Sequence, residues 1–131
     1  MSISLVSSLE ELTQGLMSIP EEIKSIQIQI LDLNEDLQQK SDAISRLESS
    51  LKSEINSAVG EDGKKLYPNA EARDAAFVEK SADHRELSTM KEDHSSVQRK
   101  IQELRIDSEM LSNKQRNIRS VFEILSLVGD K

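Results

Sequence analysis

The chain has 131 residues, of which 36% are hydrophobic, 31% charged and 2% aromatic; it has no Trp and no Cys, and its formal charge is −7. So little aromatic bulk excludes a compact globule with a thick core and points to long amphipathic helices that bury a stripe, while the missing cysteine excludes disulfides, thiolate metal sites and thiol nucleophiles. Residues 1–63 carry a net −8 and residues 64–131 a net +1, a balance that argues against broad phosphate binding.

From the N-terminus, leucine and isoleucine recur in a 4-3-4-3 rhythm. One heptad position takes Leu9, Leu16, Ile23, Ile30, Leu37, Ile44 and Leu51, and the other takes Leu5, Leu12, Ile19, Ile26, Leu33, Lys40 and Leu47; thirteen of the fourteen are apolar. An average step of 3.5 residues keeps one stripe facing a partner helix, which is the requirement for a coiled coil. Ser18-Ile19-Pro20-Glu21 has the form of a helix start, with Ser as N-cap and Pro in the first turn, and Gly15 weakens the same region. The heptad phase nevertheless passes through Pro20. A kinked helix and two abutting helices are both compatible, and the spacing favours two segments on one axis: an N-terminal segment over 1–19 and a first arm over 20–58.

The pattern stops where Gly60, Gly63, Pro68 and Asn69 cluster. These residues predict a tip loop over 59–69, with Asp62-Gly63 as a turn, Asn69 as the next N-cap, and a tiny β-hairpin between Val59 and Tyr67. A second arm is expected over 70–128, capped by Gly129. Its seam positions are Leu87, His94, Ile101, Ser108, Gln115 and Phe122, alternating with Met90, Val97, Leu104, Leu111, Ile118 and Leu125.

Folding back near Lys64 pairs residues whose numbers sum to about 128. Leu5 then lies near Phe122, Ile23 near Leu104 and Arg105, and Leu51 near Phe77. Glu10 and Glu11 fall beside Arg116 and Arg119, and Glu21 and Glu22 beside Arg105, charge complementarity of the kind that sets register in antiparallel coils. The fold class read from the sequence is all-α, an antiparallel coiled-coil helical hairpin in one domain. Off the seam, Val6, Met17, Ile28, Leu31, Ile106, Val121, Ile124, Leu127 and Val128 are also apolar and gather toward the termini. A two-stranded coil has no use for them, so hairpins are expected to associate through this end, with Phe122 and Leu125 in the same terminal segment, into a homo-oligomeric helical bundle.

Chemistry-bearing patterns are few. Lys40 intrudes on the first seam as a register device or as a stem reaching along the seam to solvent. His84 and His94 lie nearly half a turn apart on one helix and cannot share an ion. No phosphate loop, nucleophile elbow or zinc-helix motif occurs, so no catalytic, metal or cofactor-binding residues are assigned and no enzyme activity is expected. The N-terminus lacks the pattern of an export signal, and no run approaches the roughly 18 apolar residues of a membrane span; a cytoplasmic protein without membrane contact is expected.

The tip carries the only Tyr, two adjacent Lys and an Arg one turn into the second arm. Lys64, Lys65, Tyr67, Asn69 and Arg73 are candidates for contacting a protein or for gripping phosphates and stacking a base. Each also has a structural reading, with Tyr67 covering the seam, Asn69 capping the helix and Arg73 bonding to loop carbonyls.

The tip, with Gly63, Lys64, Tyr67, Asn69 and Arg73 in the spacing Gly-Lys-x-x-Tyr-x-Asn-x-x-x-Arg and Phe122 in the terminal apolar segment, resembles small helical-hairpin proteins of bacteriophages and bacteria. Some are encoded near recombination functions. The match spans about eleven residues, with Pro68 where a small polar residue is usual, and it implies an accessory role in DNA recombination or repair. Three functions follow as expectations: an oligomeric scaffold or adaptor presenting its tip to a partner, a protein binding single-stranded nucleic acid through the tip, and a chaperone-like clamp using the apolar end.

Overall fold

The computed structural model describes residues 2–129, with side chains for 6–128. Leu5 of the expected seam lies outside the residues whose side chains are described. The fold is all-α. Among the described residues there are three helices, α1 (Ser2–Ser57), α2 (Ala70–Asp83) and α3 (Arg85–Gly129). Packing divides the chain into two compact units: unit 1 is Met1–Leu33 with Lys100–Lys131, and unit 2 is Asn34–Arg99.

In unit 1 the N-terminal part of α1 lies antiparallel to α3. Ile19, Ile101, Leu104 and Ile118 are buried, and Leu9, Leu12, Leu16, Ile23, Ile26, Ile30, Leu111, Phe122 and Leu125 are half-buried. All are heptad positions, so the 3.5-residue spacing translates directly into burial. Gly15 meets α3 closely, because a Cβ built on it would stand 3.0 Å from Cδ1 of Ile118.

Pro20 does not break α1. The expected division into 1–19 and 20–58 is replaced by one continuous helix containing Pro20. A proline inside a helix costs about 3 kcal/mol. Against that stands the seam on either side of it: Ile19 is 2% exposed, and complete burial of one such side chain contributes about 1.5–3 kcal/mol. Leu16 and Ile23 are half-buried beside it, and Pro20 itself is exposed.

Unit 2 is a helical hairpin in its own right. Leu51, Ile55 and Ala76 form its core, with Tyr67 and Phe77 packed against them, and Leu87 is fully buried. The second arm is not one helix. His84 leaves helical geometry (φ −83°, ψ 103°) and separates α2 from α3. A heptad carried back from Leu87 and Met90 would put Lys80 and Asp83 on the seam. With the break, both are exposed, and Ser81 and His84 are half-buried instead. His84 also serves as the N-cap of α3, its Nδ1 accepting a hydrogen bond from the backbone N–H of Leu87 at 3.1 Å while its carbonyl accepts from the N–H of Ser88 at 3.0 Å. The cap satisfies one of the donors that a helix start leaves without an intrahelical partner.

The expected pairing of acidic and basic residues across the arms is not found. Among the described residues the one ion pair within 4 Å is Asp36 with Lys40, at 3.2 Å along α1. Gly15 comes against Ile118, where folding back about Lys64 would put it near Asn113. Lys40 is half-buried at its seam position, with its ammonium turned back to Asp36.

Replacing His84 with Ala removes the cap of α3 and is expected to lower stability by about 1 kcal/mol, while Asn, which can offer an oxygen in the same place, recovers most of the loss. Urea unfolding of the two variants, followed by circular dichroism, measures this difference.

Candidate partner-binding tip

Helix α1 ends at Ser57, whose Oγ donates to the carbonyls of Ser53 (2.9 Å) and Glu54 (3.4 Å). The chain then turns tightly. Gly60 N–H donates to the carbonyl of Lys64 at 2.8 Å, Gly63 N–H to that of Gly60 at 3.0 Å, and Leu66 N–H to that of Ala58 at 2.9 Å, while Val59 and Lys65 form an antiparallel bridge. Gly63 has φ +76°, a left-handed conformation that costs other residues about 1–2 kcal/mol. Asp62 Oδ1 fixes the turn by accepting from Lys64 N–H at 3.1 Å. The small hairpin expected from the sequence is therefore present as a single bridged turn.

The five candidate tip residues divide into two groups. Asn69 is the N-cap of α2, with its Oδ1 accepting from Ala72 N–H at 2.8 Å. Arg73 Nη1 donates to the carbonyl of Tyr67 at 3.3 Å, tying the loop to the helix that follows it. Tyr67 is half-buried against the Leu51, Ile55 and Ala76 core, and Lys80 Nζ lies 5.5 Å from its ring centroid. These three hold the tip in shape. Lys64 and Lys65 are exposed, and neither has an ion pair within 4 Å among the described residues.

Two residues of the same loop escaped the sequence reading. Val59 is 60% exposed and Leu66 53% exposed, so the tip presents apolar surface beside its lysines. Alternating apolar and polar residues in a two-stranded turn normally hide one face on a core, but this turn is too short to have one; its exposed position between two helix ends is the signal that would have found them. Charge on the loop cancels, because Glu61 and Asp62 offset Lys64 and Lys65 between residues 58 and 69.

The residues assigned to association lie as follows. Val6, Met17, Ile28, Leu31, Val121, Ile124, Leu127 and Val128 are exposed, whereas Phe122 and Leu125 are half-buried at their seam positions. Ile106 and Met110, 57% and 65% exposed, join the exposed set; Met110 was not singled out by sequence reasoning. Among the described residues no group of three or more His, Cys, Asp and Glu is placed to hold a metal ion, and no helix is long and apolar enough to cross a membrane. No protein-family model, curated protein or solved structure matches the chain.

If the tip is held by Gly63 and Asn69 and merely decorated by its lysines, Gly63→Ala and Asn69→Ala each cost about 1 kcal/mol. Lys64→Ala with Lys65→Ala should stay within about 0.5 kcal/mol of the parent, as read from urea denaturation midpoints.

Proposed function

We propose that this chain is a non-enzymatic cytoplasmic adaptor that self-associates through unit 1 and offers its tip to a protein partner. One observation carries the reading. Of the thirteen large apolar side chains exposed among the described residues, ten belong to unit 1 (Val6, Met17, Ile28, Leu31, Ile106, Met110, Val121, Ile124, Leu127 and Val128) and three to unit 2 (Val59, Leu66 and Val78). Unit 1 already has a filled seam, so these residues are surplus to its own folding. Surplus apolar surface gathered in one region is the mark of an interaction surface, and self-association allows every copy to cover it. Several tips in one assembly then bind with avidity although each contact is small.

The tip supports a protein partner over a nucleic acid. Its exposed surface combines Val59 and Leu66 with Lys64 and Lys65, its net charge is zero, and its one tyrosine is packed inward, away from the stacking role single-strand binding would need. The rival reading, an accessory protein of DNA recombination or repair, rests on the exposed lysine pair.

Light scattering on a size-exclusion column tests the assembly half. The full chain should run as an oligomer and a version ending at Ser120 as a helical monomer; a monomeric full chain overturns self-association. Fluorescence anisotropy with a single-stranded oligonucleotide tests the tip. Little binding at physiological salt is expected. Strong binding that falls steeply with salt and disappears in the Lys64→Ala, Lys65→Ala variant would establish the nucleic-acid reading in its place.

A further inference from the structure

The surplus apolar residues of unit 1 form two different surfaces, one on each helix. On α1, Val6, Met17 and Ile28 follow one another at intervals of eleven residues, with Leu31 three further on. Eleven residues make just over three whole turns, drifting only about 20°, so these side chains stand in one nearly straight line, about 16 Å apart. The seam, on a seven-residue repeat, runs along a different line. Met17 is 74% exposed and is the most exposed large apolar side chain described. Glu10 and Glu21, again eleven apart, stand four residues after Val6 and Met17 and flank the stripe; Lys24 lies on it between Met17 and Ile28.

On α3 the corresponding surface is a groove of about 430 Å³. Leu12, Met110, Ile118 and Val121 give it apolar lining, Asn113 and Asn117 polar lining, and Lys114 is its single charged residue. Met110 and Val121 are also eleven residues apart, matching the interval of the α1 stripe. Gly15 is the α1 residue that approaches Ile118. Two residues on from it, Met17 points about 200° away around the helix, so the stripe and the groove lie on separate faces of unit 1.

We propose that copies of this chain join by a heterologous contact, the α1 stripe of one copy seating in the α3 groove of the next. The occupant is a second copy because the two surfaces answer one another. Laid parallel, Met17 against Met110 and Ile28 against Val121, the two surfaces match at the same eleven-residue spacing, Glu21 falls beside Lys114 and Lys24 beside Asn117. A contact between two different faces leaves one of each free on every dimer. It therefore continues to a ring, or to an open chain, rather than stopping at a two-fold pair. This rests on the self-association proposed above and adds its geometry.

Complementation of two variants tests it. Met17→Glu with Ile28→Glu spoils the stripe, and Met110→Glu with Val121→Glu spoils the groove; the four side chains are 74%, 50%, 65% and 39% exposed, and far-UV circular dichroism checks that each variant keeps its helices. Leu31→Glu, 60% exposed, and Lys114→Glu, exposed in the groove and placed beside Glu21, form a second pair. By light scattering, the full-length parent should exceed the mass of a dimer as its concentration rises. Each variant alone should be a monomer, and an equal mixture should give a 1:1 dimer and nothing larger. A variant that still dimerises alone overturns the heterologous contact while leaving self-association standing, since a two-fold interface through the intact face would explain it. Two monomeric variants that fail to combine also overturn it. A monomeric parent removes the self-association on which the proposal rests.

Discussion

Removal of one leucine and isoleucine stripe from water is the constraint on which the other features depend. The aromatic residues number three in 131, so no thick core is available and helix must cover helix along the stripe. Where the stripe conflicts with local preference, the stripe wins. Pro20 stays inside α1 with Ile19 buried beside it, and the second arm gives up its continuity at His84 where an unbroken helix would place Lys80 and Asp83 on the seam. The first conflict is resolved by keeping a proline inside the helix and the second by interrupting the helix. The difference is chemical: a missing N–H on an exposed face can be compensated by water, whereas two buried charges without partners cost several kcal/mol.

What the sequence revealed follows the same division. Every heptad position whose side chain is described is buried or half-buried, because a 3.5-residue period is a geometric statement about one face and needs no tertiary information. Asn69 as a cap, Arg73 as a loop tie and Tyr67 as a cover for the end of the seam were all legible as local chemistry, as was the turn at Gly63. The break at His84 was not, since no Gly or Pro marks it; its sign was the pair of charged residues at seam positions, and that reading requires the heptad frame first. The cross-arm ion pairs expected at Arg105, Arg116 and Arg119 are not formed among the described residues; they depended on absolute register, which a periodic apolar stripe by itself does not fix.

The candidate surfaces were legible unequally. Surplus apolar residues off the seam announced themselves by position alone, and eight of the ten assigned to association are exposed. The tip was harder, because three of its five chosen residues turn out to be occupied in holding the loop. Its outward surface also includes Val59 and Leu66, whose exposure depends on how the bridged turn stands rather than on any residue pattern.

The central claim, that α1 and α3 of the same chain pair antiparallel with Gly15 opposite Ile118, is open to a direct measurement in a protein that has no native cysteine. Leu12→Cys with Asn117→Cys places two thiols on one groove of unit 1, and a short bismaleimide can join them. Mixing unlabelled and heavy-isotope-labelled copies before cross-linking, then sequencing the joined peptides by mass spectrometry, separates links within a chain from links between chains. Joined peptides that are wholly light or wholly heavy are the predicted result. Mixed pairs in statistical proportion would mean that the arms are exchanged between chains, and the pairing described here would be wrong.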